Sequence, residues 1–247
     1  MVYSAKIDGQ PTTFGTSGFL YRSNKLMYDR KTNSLWSSLV GEPVIGELAE
    51  RDENIKLDFF PVALTTWGEW VEENPDTKVL SLDNEFYPPY FYEPETSERS
   101  IYYDYRVRAD TMFPVWNRDH VLEAKDEVLG LSIGDAHRAY PVMKLRELRV
   151  VNDTLGDKNV VILSSAMSSD ARVFERGDET FTLVSGEDIE GIPTSLVDSS
   201  GEVWVVGKAG LTKSGDQNAT LSRLPSFVAF WFGWYAFHPD TTLFESE

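Results

Sequence analysis

The apolar positions of this chain recur at strand spacing more often than at helix spacing, and they fall into two runs that resemble each other. In the first run, stretches over 12–20, 25–28, 35–40 and 55–60 are separated by Gly and polar turn residues, which predicts short strands. Thr66-Trp-Gly-Glu69 then has the form of a capping box and predicts a short amphipathic helix that Pro75 ends. Residues 78–81 read as a further strand. In the second run, 128–133, 159–164, 171–175 and 181–184 read as strands, the last entered through a hairpin turn at 176–180. Residues 143–148 read as a short helix. Asn152-Asp-Thr154 reads as a turn, because Asn and Asp side chains bond their own backbone. The apolar run 227–237 is about half the length needed to cross a bilayer and predicts a buried helix.

The two runs share a phrase. The first copy reads Asp29, Trp36, Gly41, Gly46, Pro61, Trp67, Trp70, Asn74, Pro75 and Thr77. The second reads Asp198, Trp204, Gly207, Gly210, Pro225, Trp231, Trp234, His238, Pro239 and Thr241. From Pro61 and from Pro225 the Trp pair and the second Pro follow at identical spacing. Such self-similarity bears on architecture before any local feature does. The predicted fold is α+β and β-rich: two pseudo-repeats, each a small curved sheet plus a terminal helix, packed into one compact body. Residues 1–82 form the first repeat, 83–125 an aromatic and Pro-rich connecting segment, and 126–247 the second repeat. The first helix is amphipathic and the second apolar nearly all round, so the second should lie deeper.

Composition narrows the function. The 247 residues carry 23 Lys and Arg against 40 Asp and Glu, a net charge of −17. That balance disfavours nucleic acid and anionic membranes, which need clustered cations. There is no Cys, so disulfides, thiol catalysis and thiolate metal sites are excluded. No apolar signal region follows Met1, and no membrane span is expected. No phosphate loop, dinucleotide fingerprint, zincin helix or EF-hand loop is present.

Several of these residues together resemble a known family. Phe14-Gly-Thr-Ser-Gly-Phe-Leu20, Met27-Tyr-Asp-Arg30, Thr32, Ser34, Trp36, Gly41-Glu42, Gly46, Arg138-Ala-Tyr-Pro141, Val151-Asn-Asp-Thr154 and Phe237-His-Pro-Asp-Thr241 are similar to the domain of unknown function 3179 family, over nearly the whole chain. The resemblance implies a prokaryotic, often exported family, hence an extracellular or periplasmic setting, and no settled reaction. Relatives usually carry a Cys-Pro-x-Cys motif where this chain reads Ser165-Ala-Met-Ser168, so both thiols are replaced by hydroxyls. Met1-Val-Tyr-Ser4 resembles the stretch just after that motif, which leads to the expectation that an early segment of longer relatives is absent here. Ser cannot replace Cys as a soft ligand or redox couple.

The candidate chemical residues each have a structural alternative. Asp29 and Asp198 head the repeated phrases and suit an acid/base pair or oxygen ligands for a hard cation such as calcium; the alternative is a turn carboxylate bonding its own backbone. His238 stands where the first copy has Asn74 and suits a general base or a helix cap. The Trp residues suit a sugar-stacking platform or a core. Arg138, Asn152, Asp153 and Arg176 suit a substrate clamp or a structural ion pair, and Ser165 and Ser168 a nucleophile or plain hydroxyls.

The leading expectation is a non-catalytic binding or structural protein without a cofactor, forming a homo-oligomer or part of an assembly, with a small molecule or glycan as ligand. The rival is a hydrolase or sugar-acting enzyme using Asp29, Asp198 and His238 with an aromatic cleft from 86–105. A third expectation is a calcium-type site in acidic loops such as those of Asp83 and Asp135.

Overall fold

A computed structural model of the chain describes residues 1–51, 54–82, 86–94, 96–186 and 190–245. Asp83, one of the acidic-loop candidates, lies outside them. Strand dominates over helix, in several sheets.

Strand β1 (Val2–Tyr3) precedes a hairpin of β2 (Lys6–Ile7) and β3 (Gln10–Pro11). A four-stranded antiparallel meander follows: β4 (Phe14–Tyr21), β5 (Asn24–Asp29), β6 (Leu35–Ser37) and β7 (Pro43–Ile45). Trp36 is fully buried there with Ile7, Leu48, Ile55 and Leu57. β8 (Phe59–Phe60) returns to pair antiparallel with β1. Helix α1 (Trp67–Glu73) opens on the capping box read from the sequence: Thr66 Oγ1 accepts from the Glu69 amide, and the Glu69 carboxylate accepts from the Thr66 amide. None of its residues is buried. The connecting segment holds a 3₁₀ turn at Pro89–Tyr92 and the short helix α2 (Tyr103–Val107). It leaves Trp116 87% and Phe86 85% exposed.

The C-terminal half contains β9 (Glu127–Ile133), β10 (Ala136–Pro141), α3 (Val142–Leu148), β11 (Val150–Leu155), β12 (Lys158–Ser164), β13 (Ala171–Glu175), β14 (Thr182–Leu183), β15 (Ser195–Val197), β16 (Val203–Val206), β17 (Gly210–Lys213), β18 (Asp216–Leu224), β19 (Phe227–Phe230), α4 (Trp231–Phe237) and β20 (Thr242–Leu243). Eight of these strands form one sheet in the order β11-β12-β13-β18-β17-β16-β15-β14. A four-stranded sheet runs β19-β9-β10-β20. The apolar run of β12 serves two cores: Val160 and Ile162 join one cluster, Val161 and Leu163 the other. A strand buried on both faces loses the alternation of a half-buried one. Helix α4 is buried through Trp231, Trp234 and Ala236, deeper than α1 as its all-round apolar character predicts. Gly130 on β9 makes this possible, because a Cβ there would lie 2.2 Å from the Trp234 ring.

Four local expectations are corrected. Residues 78–81 form no strand. The apolar run 227–237 is a strand and then a helix, since Phe227–Phe230 pairs with β9 before α4 begins. Asn152-Asp-Thr154 lies within β11 and not in a turn, because a partner strand supplies its backbone bonds. β14 does not form a hairpin with β13 but pairs with β15, at the far edge of the sheet.

Candidate functional site

Asp29 ends β5, and its carboxylate is fully buried. Oδ1 accepts from the amides of Lys31 (3.0 Å) and Thr32 (2.6 Å); Oδ2 accepts from Thr32 Oγ1 (2.7 Å) and the Trp36 indole (3.0 Å). Asp198 follows β15 and is held alike. Its Oδ1 accepts from the amides of Ser200 (2.9 Å) and Glu202 (3.0 Å) and from Ser200 Oγ (2.6 Å), and its Oδ2 from the Trp204 indole (2.9 Å). Burial alone would raise both pKa values; the donated hydrogen bonds outweigh it and hold both carboxyls below their ordinary range. The rings repeat too: Phe14 meets Trp36 edge-on at 5.9 Å, and Phe181 meets Trp204 edge-on at 5.6 Å. Each carboxylate faces its own turn, on a different sheet.

The helix ends also match. The Trp70 indole donates to Thr77 Oγ1 and the Trp234 indole to Thr241 Oγ1, each at 2.9 Å. The C-caps Asn74 (φ −137°, ψ 68°) and His238 (φ −125°, ψ 67°) share a conformation. The His238 ring lies tilted against Trp234 at 4.2 Å and against His137 at 4.1 Å, whose Nδ1 is 2.7 Å from Ser132 Oγ. His238 borders a cavity of about 420 Å³ that Lys56 and Tyr3 also line. Burial, then the His137 charge, pushes the His238 pKa down to about 3, so its imidazole is neutral at pH 7.

Arg138 on β10 grips both oxygens of Asp153 (2.8 and 2.6 Å), and Tyr140 donates to the same carboxylate at 2.8 Å. Asn152 mimics a peptide group: its amide donates to Phe181 O (2.8 Å) and accepts from Phe181 N (2.9 Å). Arg176 donates to the carbonyls of Glu179 (2.6 Å) and Asp153 (3.4 Å). Asn152 and Asp153 lie mid-strand in β11, with Arg138 and Arg176 bonded to Asp153, while Ser165 follows β12 at the end that pairs with Val150.

Ser165 is fully buried and sits where the two halves of the chain meet. Its hydroxyl donates to Glu69 Oε1 of α1 at 2.7 Å and accepts from the amides of Met167 (3.0 Å) and Ser168 (3.1 Å). Burial would raise the Glu69 pKa; hydrogen bonds from Ser165, Ser168 and Thr66 overcome that and hold it at about 2. Beside this pair, buried Arg172 joins Asp170 (2.8 Å) to Glu73 of α1 (3.0 Å). Arg223 donates to Val62 O (2.9 Å) and Lys208 O (3.3 Å), while its Nε is buried with no acceptor among the described residues. Lys208 Nζ donates to Asn74 Oδ1. Glu73, Arg172, Lys208 and Arg223 line a cleft of about 570 Å³ with Trp70 and Phe227.

The sequence reading did not single out Glu69, Glu73, Asp170, Arg172, Lys208 or Arg223 as site residues. One signal was available: Asp170 and Arg172 sit two apart at the start of the apolar stretch 171–174, where a buried charge needs a partner. Among the described residues no cluster of three or more His, Asp or Glu is arranged to hold a metal ion, and no helix is long and apolar enough to cross a membrane.

The chain is thus a β-rich α+β protein whose polar cleft lies between α1 and the β13–β18 pair. Its sequence matches the family model described as protein of unknown function (DUF3179) over residues 1–241, so the chain belongs to that family. Comparison with curated proteins and with solved structures yields no match.

Proposed function

We propose that this protein is a non-catalytic binding protein built of two pseudo-repeats, with its ligand site in the cleft between α1 and the β13–β18 pair. One observation carries this reading: a cleft of about 570 Å³, within the usual range for small-molecule sites, is lined by Arg223, whose buried Nε has no acceptor among the described residues. The matched Asp turns, edge-on aromatic pairs and helix caps support the repeat. Asp29 and Asp198 spend their lone pairs on turns and indoles, which favours a scaffold role over acid/base work. Family resemblance supports export to an extracellular or periplasmic setting. The test is a thermal-shift screen of small molecules against the wild type and a cleft-filling Ala63→Trp variant. Ligands that raise the wild-type melting temperature but not the variant's are expected; hits that stabilise both equally would refute the site.

An assembly role is favoured by a separate observation, the exposed aromatic rings of the connecting segment, with Trp116 87% and Phe86 85% exposed. Light scattering coupled to size exclusion would find a homo-oligomer that Trp116→Ser weakens, and a wild-type monomer at all concentrations would end this part of the reading.

A further inference from the structure

We infer that the cleft takes a small organic carboxylate with an apolar tail, its carboxylate held by Arg223 and Lys208 and its tail against Trp70, Val62 and Phe227; this rests on the binding reading above. The argument begins with charge. Three cations line the cleft: Arg172, Lys208 and Arg223. Arg172 takes both nearby carboxylates, Asp170 and Glu73. Arg223 and Lys208 form no salt bridge among the described residues. Among the described residues Arg223 donates only to carbonyls, and Lys208 only to an amide oxygen. In a chain with 40 Asp and Glu, two neighbouring cations left without a carboxylate mark a place where an anion is supplied from outside. The strain on Arg223 agrees: burial, then the Arg172 charge, pulls its guanidinium below its ordinary pKa, partly offset by Asp170 and Glu73. An incoming carboxylate beside the Arg223 guanidinium would offset the repulsion from Arg172.

The rest of the cleft selects the tail. Pro61, Val62, Leu64, Trp70, Phe227 and Val228 supply apolar walls, which an inorganic anion would leave uncovered. Ligand entry adds no bond and breaks none, so no co-reactant is required.

The test is calorimetry on the whole chain with four probes: 3-phenylpropionate, 3-phenylpropylamine, acetate and inorganic phosphate. 3-Phenylpropionate is expected to bind at least tenfold more tightly than the other three. Arg223→Met should weaken it tenfold or more and Lys208→Met severalfold, while Lys158→Met, which removes a cation from the Glu175 pair on the far part of the sheet, leaves it unchanged. Lys208→Met keeps the test alive if Arg223→Met does not fold. If the amine binds as tightly as the carboxylate, or if both cleft variants bind the carboxylate like the wild type, the carboxylate inference is overturned while a cleft for other ligands survives. Tighter binding of phosphate overturns the tail. If Ala63→Trp leaves every probe's binding unchanged, or nothing binds the wild type, the cleft reading falls with it.

Discussion

The indole of Trp204 donates to the buried carboxylate of Asp198, six residues earlier, at 2.9 Å, and the turn between them closes through Ser200 and Glu202. The carboxylate collects four donated hydrogen bonds from one turn and one ring. Removing it leaves the Trp204 indole and two amides without their acceptor. Asp198→Ala is therefore expected to cost about 2–4 kcal/mol, and Asp29→Ala a similar amount, in urea unfolding followed by Trp fluorescence. A loss under about 0.5 kcal/mol for both would contradict the scaffold role of these turns.

Ser165 fastens α1 to the C-terminal half. Because α1 buries none of its residues, its position depends on polar contacts such as Ser165–Glu69 and Arg172–Glu73. Ser165→Ala should cost about 1–3 kcal/mol and speed amide hydrogen exchange in 67–73 more than in α4. Equal protection of α1 in the wild type and the variant would show that the helix is held by something else.

Much of the scaffold was legible in the sequence, and the reasons are local. The capping box at Thr66, the stop at Pro75 and the turn chemistry after Asp29 act within a few residues, so spacing reveals them. The errors arose where tertiary context decides. Val228 and Ala229 look helical beside Trp231 and Trp234, yet the open edge of β9 takes 227–230 as a strand. Asn152 favours turns, yet its amide pairs with the Phe181 backbone inside a sheet. The cleft was illegible for a different reason. Glu69 and Glu73 meet Ser165 and Arg172 about a hundred positions later in the chain, and no single-chain periodicity encodes that distance.

The Asp170–Arg172–Glu73 chain is a buried network, and it should respond asymmetrically. Arg172→Met strands Asp170, which is 1% exposed and whose pKa burial already raises, so a loss of about 3–5 kcal/mol is expected. Adding Asp170→Asn removes the stranded charge and should recover part of that loss. A double-mutant cycle in urea measures it; strictly additive losses would mean that the two residues do not act as a pair.

His238 gives the protein an acid limit that Asn74, the C-cap of α1, does not share. An unfolded His titrates near 6.5, while burial and His137 push His238 down to about 3. Between those values the unfolded chain holds the extra proton, so stability falls as pH drops from about 6.5 toward 3 and changes no further below that. Glu69 adds a second loss at lower pH: its carboxyl is held at about 2 against an ordinary 4.5, so that contribution fades as pH falls from about 4.5 to 2. His238→Asn installs the residue that already caps α1 in the same backbone conformation. The wild type should lose about 2 kcal/mol through His238 between pH 6 and pH 4.5, and the variant should lose less, its residual slope coming from His137, whose own pKa burial lowers. Glu69→Gln, by contrast, should flatten only the part of the curve below about pH 4.5. A wild-type curve that is flat from pH 6.5 to 4.5 would place a charged, solvated imidazole at position 238 and remove the buried His137–His238 contact as the source of acid sensitivity.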